Sequence, residues 1–162
     1  MNILFISHKL PYPPNKGEKI RAFNIVKYLS RDHRVFLYSL CDDGNGLLHQ
    51  EELEQYCASV NIYNIRPFFS NLRAATYLFT TFPFTFAYFF SYRMARDIRR
   101  ILQRIPFDLI FACCSSSAQY VLDNTEIKKC VDFVDIDSDK WASFAKKRTF
   151  PFSLIYKIEA QR

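Results

Sequence analysis

The stretch NILFISHKLPYPPNKGEKI, residues 2–20, decides the fold of this chain. Its first six residues are an apolar run of the length that a buried parallel strand needs. Three prolines then stiffen a loop, and Gly17 stands just before a helical pattern that begins at about Glu18–Lys19. A strand, a rigid loop and a helix in this order form the first unit of an α/β fold.

The rest of the chain repeats the alternation. Apolar runs at residues 34–40, 60–65, 108–114 and 129–137 predict four more strands, with helical patterns between them. The alternation predicts an α/β fold with a doubly wound parallel sheet of about five strands. An aromatic helical hairpin, broken near Pro83, is predicted within residues 71–105. The last helical pattern, residues 152–162, has no capping residue, so we expect that helix to continue.

The composition excludes several kinds of site. The chain of 162 residues has 3 glycines and contains neither GxGxxG nor GxxxxGK[ST], so no glycine-rich phosphate loop is predicted. Its 5 cysteines form no CxxC pair and its 3 histidines are scattered, so no metal site is predicted. The N-terminus reads directly as a strand, and we expect a cytoplasmic protein with reduced thiols. The net charge of +6 suits polyanions, anionic membranes or phosphorylated ligands, and does not choose among them.

In a doubly wound sheet, ligands bind beyond the carboxyl ends of the strands. The loop after the first strand is the most informative, because Gly17 allows a positive φ or a close backbone approach, and a helix N-terminus follows it. One interpretation is a loop that faces a phosphate or a sugar, and the other is a rigid connection with solvated lysines. The polar residues that accompany Gly17 are Asn15, Lys16, Lys19 and Arg21.

A D-x-D-x-D run follows the fifth predicted strand. Asp135 is a candidate for hydrogen bonds to hydroxyl groups. Asp137 is the first candidate for a general base, because it lies nearest the predicted strand end. The alternative is that Ser138 or Asp139 caps the next helix.

Residues 76–92 carry no charge and nine aromatic side chains. Seventeen residues with Pro83 in the middle do not predict a membrane span, which leaves a buried hairpin or a membrane-surface contact. The helix that follows is amphipathic, with apolar residues opposite a basic face. This face suits an anionic leaflet or a lipid-diphosphate acceptor, or is simply solvated, and no nucleic-acid-binding motif accompanies it. Its members are Arg93, Arg96, Arg100 and Arg104.

Three stretches, MNILFISHKLPYPPNKGEKIRAFNIVKYLS, VDFVDIDSDKW and IYKIEAQR, together resemble the N-terminal half of a bacterial GT-B glycosyltransferase. The group is family-4-like and includes the sugar transferases associated with exopolysaccharide and exosortase gene clusters. The resemblance implies two Rossmann-like domains that face each other across a cleft. Residues 1–150 would be the domain that takes the acceptor, and residues 151–162 would begin the interdomain helix. The domain that binds the nucleotide-sugar would follow, and transfer would need neither a bound metal nor another cofactor.

Residue by residue, Gly17 matches the family's first-loop glycine, whose amide lies near the donor diphosphate. Asn15, Lys16, Lys19 and Arg21 match neighbours of that loop. Related enzymes often carry a histidine after the fourth strand, where this chain reads Cys-Cys-Ser-Ser-Ser-Ala at residues 113–118. Of that loop, Ser115 and Ser116 can still hydrogen-bond a substrate hydroxyl.

The sequence therefore predicts the acceptor-binding half of an enzyme that transfers a sugar from a nucleotide-sugar to a cell-surface polysaccharide or a lipid-linked acceptor. We expect this half alone to be inactive, and the enzyme to be peripheral on the inner face of the plasma membrane. The alternative is a non-catalytic α/β binding module that docks on a membrane or a partner protein.

We expect Gly17→Val to lower kcat/KM of the two-domain enzyme far more than it lowers the thermal midpoint, because a side chain there would keep the diphosphate from the backbone. Steady-state kinetics and thermal unfolding of the same variant test this. If activity falls only as the folded fraction falls, Gly17 serves the turn and not the ligand.

Overall fold

A computed structural model describes residues 1–42, 44, 46–77, 80, 82–134, 137–150 and 152–161, without the side chains of residues 47, 75 and 137. Within these residues, five parallel strands form one sheet in the order β3-β2-β1-β4-β5. The predicted doubly wound, Rossmann-like α/β fold is confirmed. The strands are β1 (Asn2–Ser7), β2 (Arg34–Cys41), β3 (Ser59–Asn64), β4 (Leu109–Cys113) and β5 (Lys128–Asp132).

Helices cover both faces of the sheet. They are α1 (Gly17–Leu29), α2 (Gln50–Glu54), α3 (Pro67–Thr76), α4 (Phe84–Tyr88), α5 (Tyr92–Arg104), α6 (Ser115–Ala118), α7 (Asp137–Lys147) and α8 (Phe152–Ala160), and a 3-10 turn (Gly46–His49) precedes α2. Residues 71–105, within which the aromatic hairpin is predicted, include α4, α5 and the end of α3.

The central strand β1 is buried on both sides. Leu4 and Ile6 pack with Met94 and Ile98 of α5 in one core cluster. Phe5 points the other way, towards α1 and α2, and stacks on Phe111 of β4 with ring centroids 5.0 Å apart. Burial on two faces explains why β1 reads as a continuous apolar run and not as an alternating one.

Two strands end earlier than the sequence predicts, and a residue with positive φ follows each of them. The fourth strand was predicted to end at residue 114, but Cys114 has φ 81° and β4 ends before it. The fifth strand was predicted to reach residue 137, but β5 ends at Asp132, whose carboxylate accepts a hydrogen bond from the backbone N of Val134 at 3.2 Å. Val134 then takes φ 63°, a value that a β-branched residue rarely adopts and an extended strand cannot include.

This difference changes the predicted position of the acidic run. The expectation that Asp137 lies at a strand end is wrong, because Asp137 is the first residue of α7. Its side chain lies outside the described part of the molecule, and so does the whole of Asp135.

The helix α4 belongs to the aromatic segment and is held at its N-terminus by the last helix. The Glu159 carboxylate is 4% exposed and accepts hydrogen bonds from the backbone N of Phe84 at 3.1 Å and of Thr85 at 3.3 Å. It also accepts one from the Thr85 hydroxyl at 3.0 Å. A carboxylate from α8 thus satisfies N–H groups that a helix start leaves without partners.

The C-terminus of α4 is held by α3. The Arg73 guanidinium donates to the carbonyl oxygens of Ala87 at 2.7 Å and of Phe90 at 2.6 Å, and more weakly to that of Tyr88 at 3.3 Å. An anion at the start of α4 and a cation at its end both match the helix dipole. Among the described residues of the aromatic segment 76–92, the helix within the segment is α4, which packs against α3, a helix that lies mostly before the segment. Among the described helices none is long and apolar enough to cross a membrane.

We expect Arg73→Met to lower the free energy of unfolding by about 1–3 kcal/mol, because three carbonyl groups lose a half-buried donor while the apolar stem is kept. Arg66→Met, an exposed arginine just before α3, is the matched control and should cost less than about 0.5 kcal/mol. Urea denaturation of both variants measures the difference, and equal effects would contradict the capping role of Arg73.

Candidate functional site

A cavity of about 310 Å³ opens at the carboxyl ends of β1 and β4. These neighbouring strands lie where the order of the sheet reverses, which is where ligands bind in doubly wound sheets. Its walls come from the residues after β1, the start of α1, the turn after β4, and the helices α3, α4 and α7. The residues that follow β1 and β4, where the sequence places two of the ligand-binding loops, are part of this lining.

One side of the cavity is polar and charged. The Lys9 ammonium lies 2.6 Å from Oε1 of Glu18, and His8 Nε2 lies 3.8 Å from Oε2 of the same carboxylate. The imidazole of His8 is buried, and its Nδ1 faces the carbonyl oxygen of Cys113 at 3.4 Å. The His8 imidazole and then the Lys9 ammonium lower the pKa of Glu18 to about 2, although burial acts in the opposite direction. Glu18 is therefore ionised at neutral pH.

Two buried polar atoms of the cavity wall have no hydrogen-bond partner among the described residues. They are Oγ of Ser116, a residue that is 2% exposed, and Nε1 of Trp141. A buried polar atom without a partner costs about 1–3 kcal/mol, so its presence calls for a ligand or a water molecule. Both atoms can donate a hydrogen bond, and the hydroxyl can also accept one.

Much of the remaining lining of the cavity is aromatic. Phe84, Tyr88 and Phe89 come from the α4 segment, and the Phe84 ring lies 5.0 Å from that of Trp141. Phe89 meets the His8 ring edge-on, also at 5.0 Å. A ligand with one apolar face and an edge of hydroxyl groups would match both sides.

The structure brings some of the predicted site residues to this cavity and leaves others outside it. Ser115 and Ser116 line it, as expected for the turn after β4. The loop residues Asn15, Lys16 and Gly17 are exposed and do not line it. Lys19 is buried and does not line it either.

Gly17 is the first residue of α1, one residue earlier than predicted, and its φ lies outside the left-handed region. A positive φ is therefore not the reason for this glycine. A Cβ built there would meet no described atom within 4 Å, so the fold itself leaves room for a side chain.

Arg21 is engaged by the protein itself. Its Nε and Nη2 atoms donate to Oδ2 and Oδ1 of Asp132 at 2.6 and 3.0 Å. The pair ties α1 to the end of β5 and lowers the pKa of Asp132. Among the described residues, no cluster of three His, Cys, Asp or Glu side chains is arranged to hold a metal ion.

Sequence reasoning missed His8, Lys9, Glu18 and Trp141 as members of one site. His8 carried a usable signal, because it is the first residue after the central strand. The resemblance drew attention to a missing histidine after the fourth strand. In three dimensions an imidazole is present there, since His8 contacts the last residue of β4 from the neighbouring strand.

The predicted amphipathic character of α5 is confirmed. Met94 and Ile98 are buried, whereas the predicted basic residues Arg93, Arg96, Arg100 and Arg104 are exposed. Arg99, which the prediction did not include, is exposed as well. None of these arginines lines the cavity.

We expect Glu18→Gln to destabilise the fold at neutral pH by about 1–2 kcal/mol, after allowance for solvent around this partly exposed group. The folded-state pKa of about 2 lies below the ordinary glutamate pKa of 4.5, so the stabilisation is present above pH 4.5 and disappears as the pH falls through 2. Urea denaturation from pH 7 to pH 2 measures the gap in the free energy of unfolding between the unaltered chain and Glu18→Gln. Glu126→Gln, at an exposed position, is the control, and a gap for Glu18→Gln that persists at pH 2 would contradict the assignment.

Comparison of the chain with protein-family models, with curated proteins and with solved structures finds no match. The glycosyltransferase family remains a prediction from the sequence.

Proposed function

We propose that this chain is the acceptor-binding half of a glycosyltransferase that moves a sugar from a nucleotide-sugar to a polysaccharide or a lipid-linked acceptor at the cytoplasmic side of the cell surface. The observation that carries the proposal is the cavity at the ends of β1 and β4, whose aromatic lining is accompanied by two residues, Ser116 and Trp141, that each have a buried polar atom without a partner among the described residues. The sequence resemblance supplies the reaction class.

The chemistry of the cavity favours one acceptor sugar ring over a phosphate. The rings of Phe84 and Trp141 suit the C–H face of a sugar. Ser116 and Trp141 can donate hydrogen bonds to hydroxyl groups, and the Lys9 ammonium, which could otherwise pair with a phosphate, is already paired with Glu18. A volume of about 310 Å³ is at the small end for ligand pockets, which span roughly 300–1,000 Å³.

In this proposal His8 is the general base. Glu18 is too weak a base at neutral pH, since its pKa is about 2, but its carboxylate lies 3.8 Å from Nε2 of His8 and would stabilise the imidazolium that forms. His8 would accept the proton of an acceptor hydroxyl, whose oxygen attacks the anomeric carbon of the donor sugar as the nucleoside diphosphate leaves. Asp137 is a second candidate for the base. As the resemblance implies, the proposed transfer needs no bound metal.

The donor would approach from a second domain. Asn15, Lys16 and Gly17 are exposed at the start of α1 and remain the candidates for contact with its diphosphate. Lys19 and Arg21 lie on the first turns of the same helix, where positive charge supports an anion.

The alternative function, a non-catalytic module that docks on a membrane or a partner, is favoured by one observation. The basic face of α5 lies outside the cavity and does not take part in the proposed sugar site.

The cavity contains the only tryptophan in the sequence, Trp141, which makes acceptor binding directly measurable. We expect a saturable change in tryptophan fluorescence on titration with a panel of methyl glycosides of common hexoses. Ser116→Ala should weaken the binding of the best glycoside about tenfold, the equivalent of one hydrogen bond, without lowering the thermal midpoint.

Ser117→Ala is the matched control, because the neighbouring Ser117 hydroxyl is also buried, also lacks a partner among the described residues, and does not line the cavity. Its affinity for the glycoside should equal that of the unaltered chain. Equal losses in both variants, or no saturable response to any glycoside, would overturn the proposed site.

A further inference from the structure

The net charge of the chain arises from one segment. Residues 55–107 contain seven arginines, no lysine and a single acidic residue, Asp97. The rest of the chain carries equal numbers of positive and negative side chains, so this segment accounts for the whole net charge of +6.

Most of these arginines point into solvent. Five of them lie on α5 and one, Arg66, stands just before α3, and all six are exposed. Asp97 offsets only part of this charge, since it lies 3.1 Å from Arg96 and 3.8 Å from Arg100. The seventh, Arg73, is committed to the carbonyl groups that end α4.

Large apolar side chains are exposed beside the arginines. On α3, Phe68 is 72% exposed, Phe69 58% and Leu72 61%, and their spacing puts them on one side of the helix. Tyr92, at the start of α5, is 76% exposed. These side chains are not needed to fill the core, and α3 contains no acidic residue.

The two sets of side chains form one continuous surface. A shallow groove between α3 and the start of α5 is lined by Arg66, Phe69, Tyr92 and Arg93. A second groove of about 520 Å³ runs along α5 past Arg96, Arg99 and Arg100. Tyr92 and Arg93, together with Phe90, belong to both grooves. We call the surface made of these two grooves, together with the exposed Phe68 and Leu72 on the adjoining α3, the α3–α5 face.

We propose that the α3–α5 face docks on the surface of an anionic lipid bilayer. Aromatic and leucine side chains insert at the boundary between head groups and acyl chains, and the neighbouring arginines pair with lipid phosphates. The exposed Leu72 favours a bilayer over nucleic acid, because an aliphatic side chain has no aromatic face on which a base could stack. The proposal is independent of sugar transfer, since none of these residues lines the cavity described above.

Co-sedimentation with lipid vesicles tests the proposal. We expect the chain to bind vesicles of phosphatidylcholine with phosphatidylglycerol, to bind weakly or not at all to pure phosphatidylcholine, and to lose affinity as salt is raised. Each arginine near the surface contributes about fivefold in affinity, so the triple variant Arg93→Gln, Arg96→Gln, Arg99→Gln should bind about a hundredfold more weakly.

Matched controls come from the other end of the chain. Lys146→Gln, Lys147→Gln, Arg148→Gln removes the same charge from exposed positions at the end of α7 and should change binding by less than about fivefold. For the apolar part, Phe68→Ser with Leu72→Ser should weaken binding, whereas Phe150→Ser with Phe152→Ser, also at exposed positions, should not. All substituted side chains are exposed, so unchanged thermal midpoints are expected and show that each variant is folded.

Three outcomes would overturn the proposal. The first is equal binding to neutral and anionic vesicles, which would show that charge does not contribute to binding. The second is an equal loss of vesicle binding in the α7 control variant, which would show that binding does not depend on the α3–α5 face. The third is tighter binding to single-stranded DNA than to anionic vesicles, lost with the same three arginines, which would assign the face to nucleic acid.

Discussion

The burial of β1 on both faces is the constraint on which the rest of the structure depends. Residues 3–7 of this strand are at most 1% exposed, so helices must cover the sheet on each side. β2 and β4 flank the strand in parallel register, and the order of the sheet reverses beside it. The first residues beyond its carboxyl end, His8 and Lys9, are therefore held at the reversal in strand order, where they line the cavity.

The sequence predicts those strands and helices whose formation depends on the spacing of nearby apolar residues. The five strands and the amphipathic helix α5 were found because apolar spacing over a few residues determines which side is buried, as Met94 and Ile98 illustrate. The end of β5 was not found, because it depends on distant residues. Asp132 is held by Arg21, 111 positions earlier, and its carboxylate also turns the chain at Val134.

The candidate site was predictable to a similar degree. Ser115 and Ser116 were expected in the loop after the fourth strand, and they do line the cavity there, because β4 lies next to the reversal in strand order. Glu18 was not, because its importance comes from an approach to His8 and Lys9 that folding creates. Trp141 was interpreted as a packing residue, and it does pack, with Tyr156 and Phe84, but it also lines the cavity, and its buried indole nitrogen has no partner among the described residues.

The contact of Glu159 with α4 has a consequence for biosynthesis. The carboxylate that caps Phe84 and Thr85 lies 75 and 74 positions later in the chain, so it reaches the ribosome exit long after the helix that it caps. During synthesis the sheet can assemble first, since β5 ends at Asp132. The aromatic wall of the cavity is completed only when α8 has emerged and docked, so a nascent chain holds a formed sheet before it holds a formed cavity.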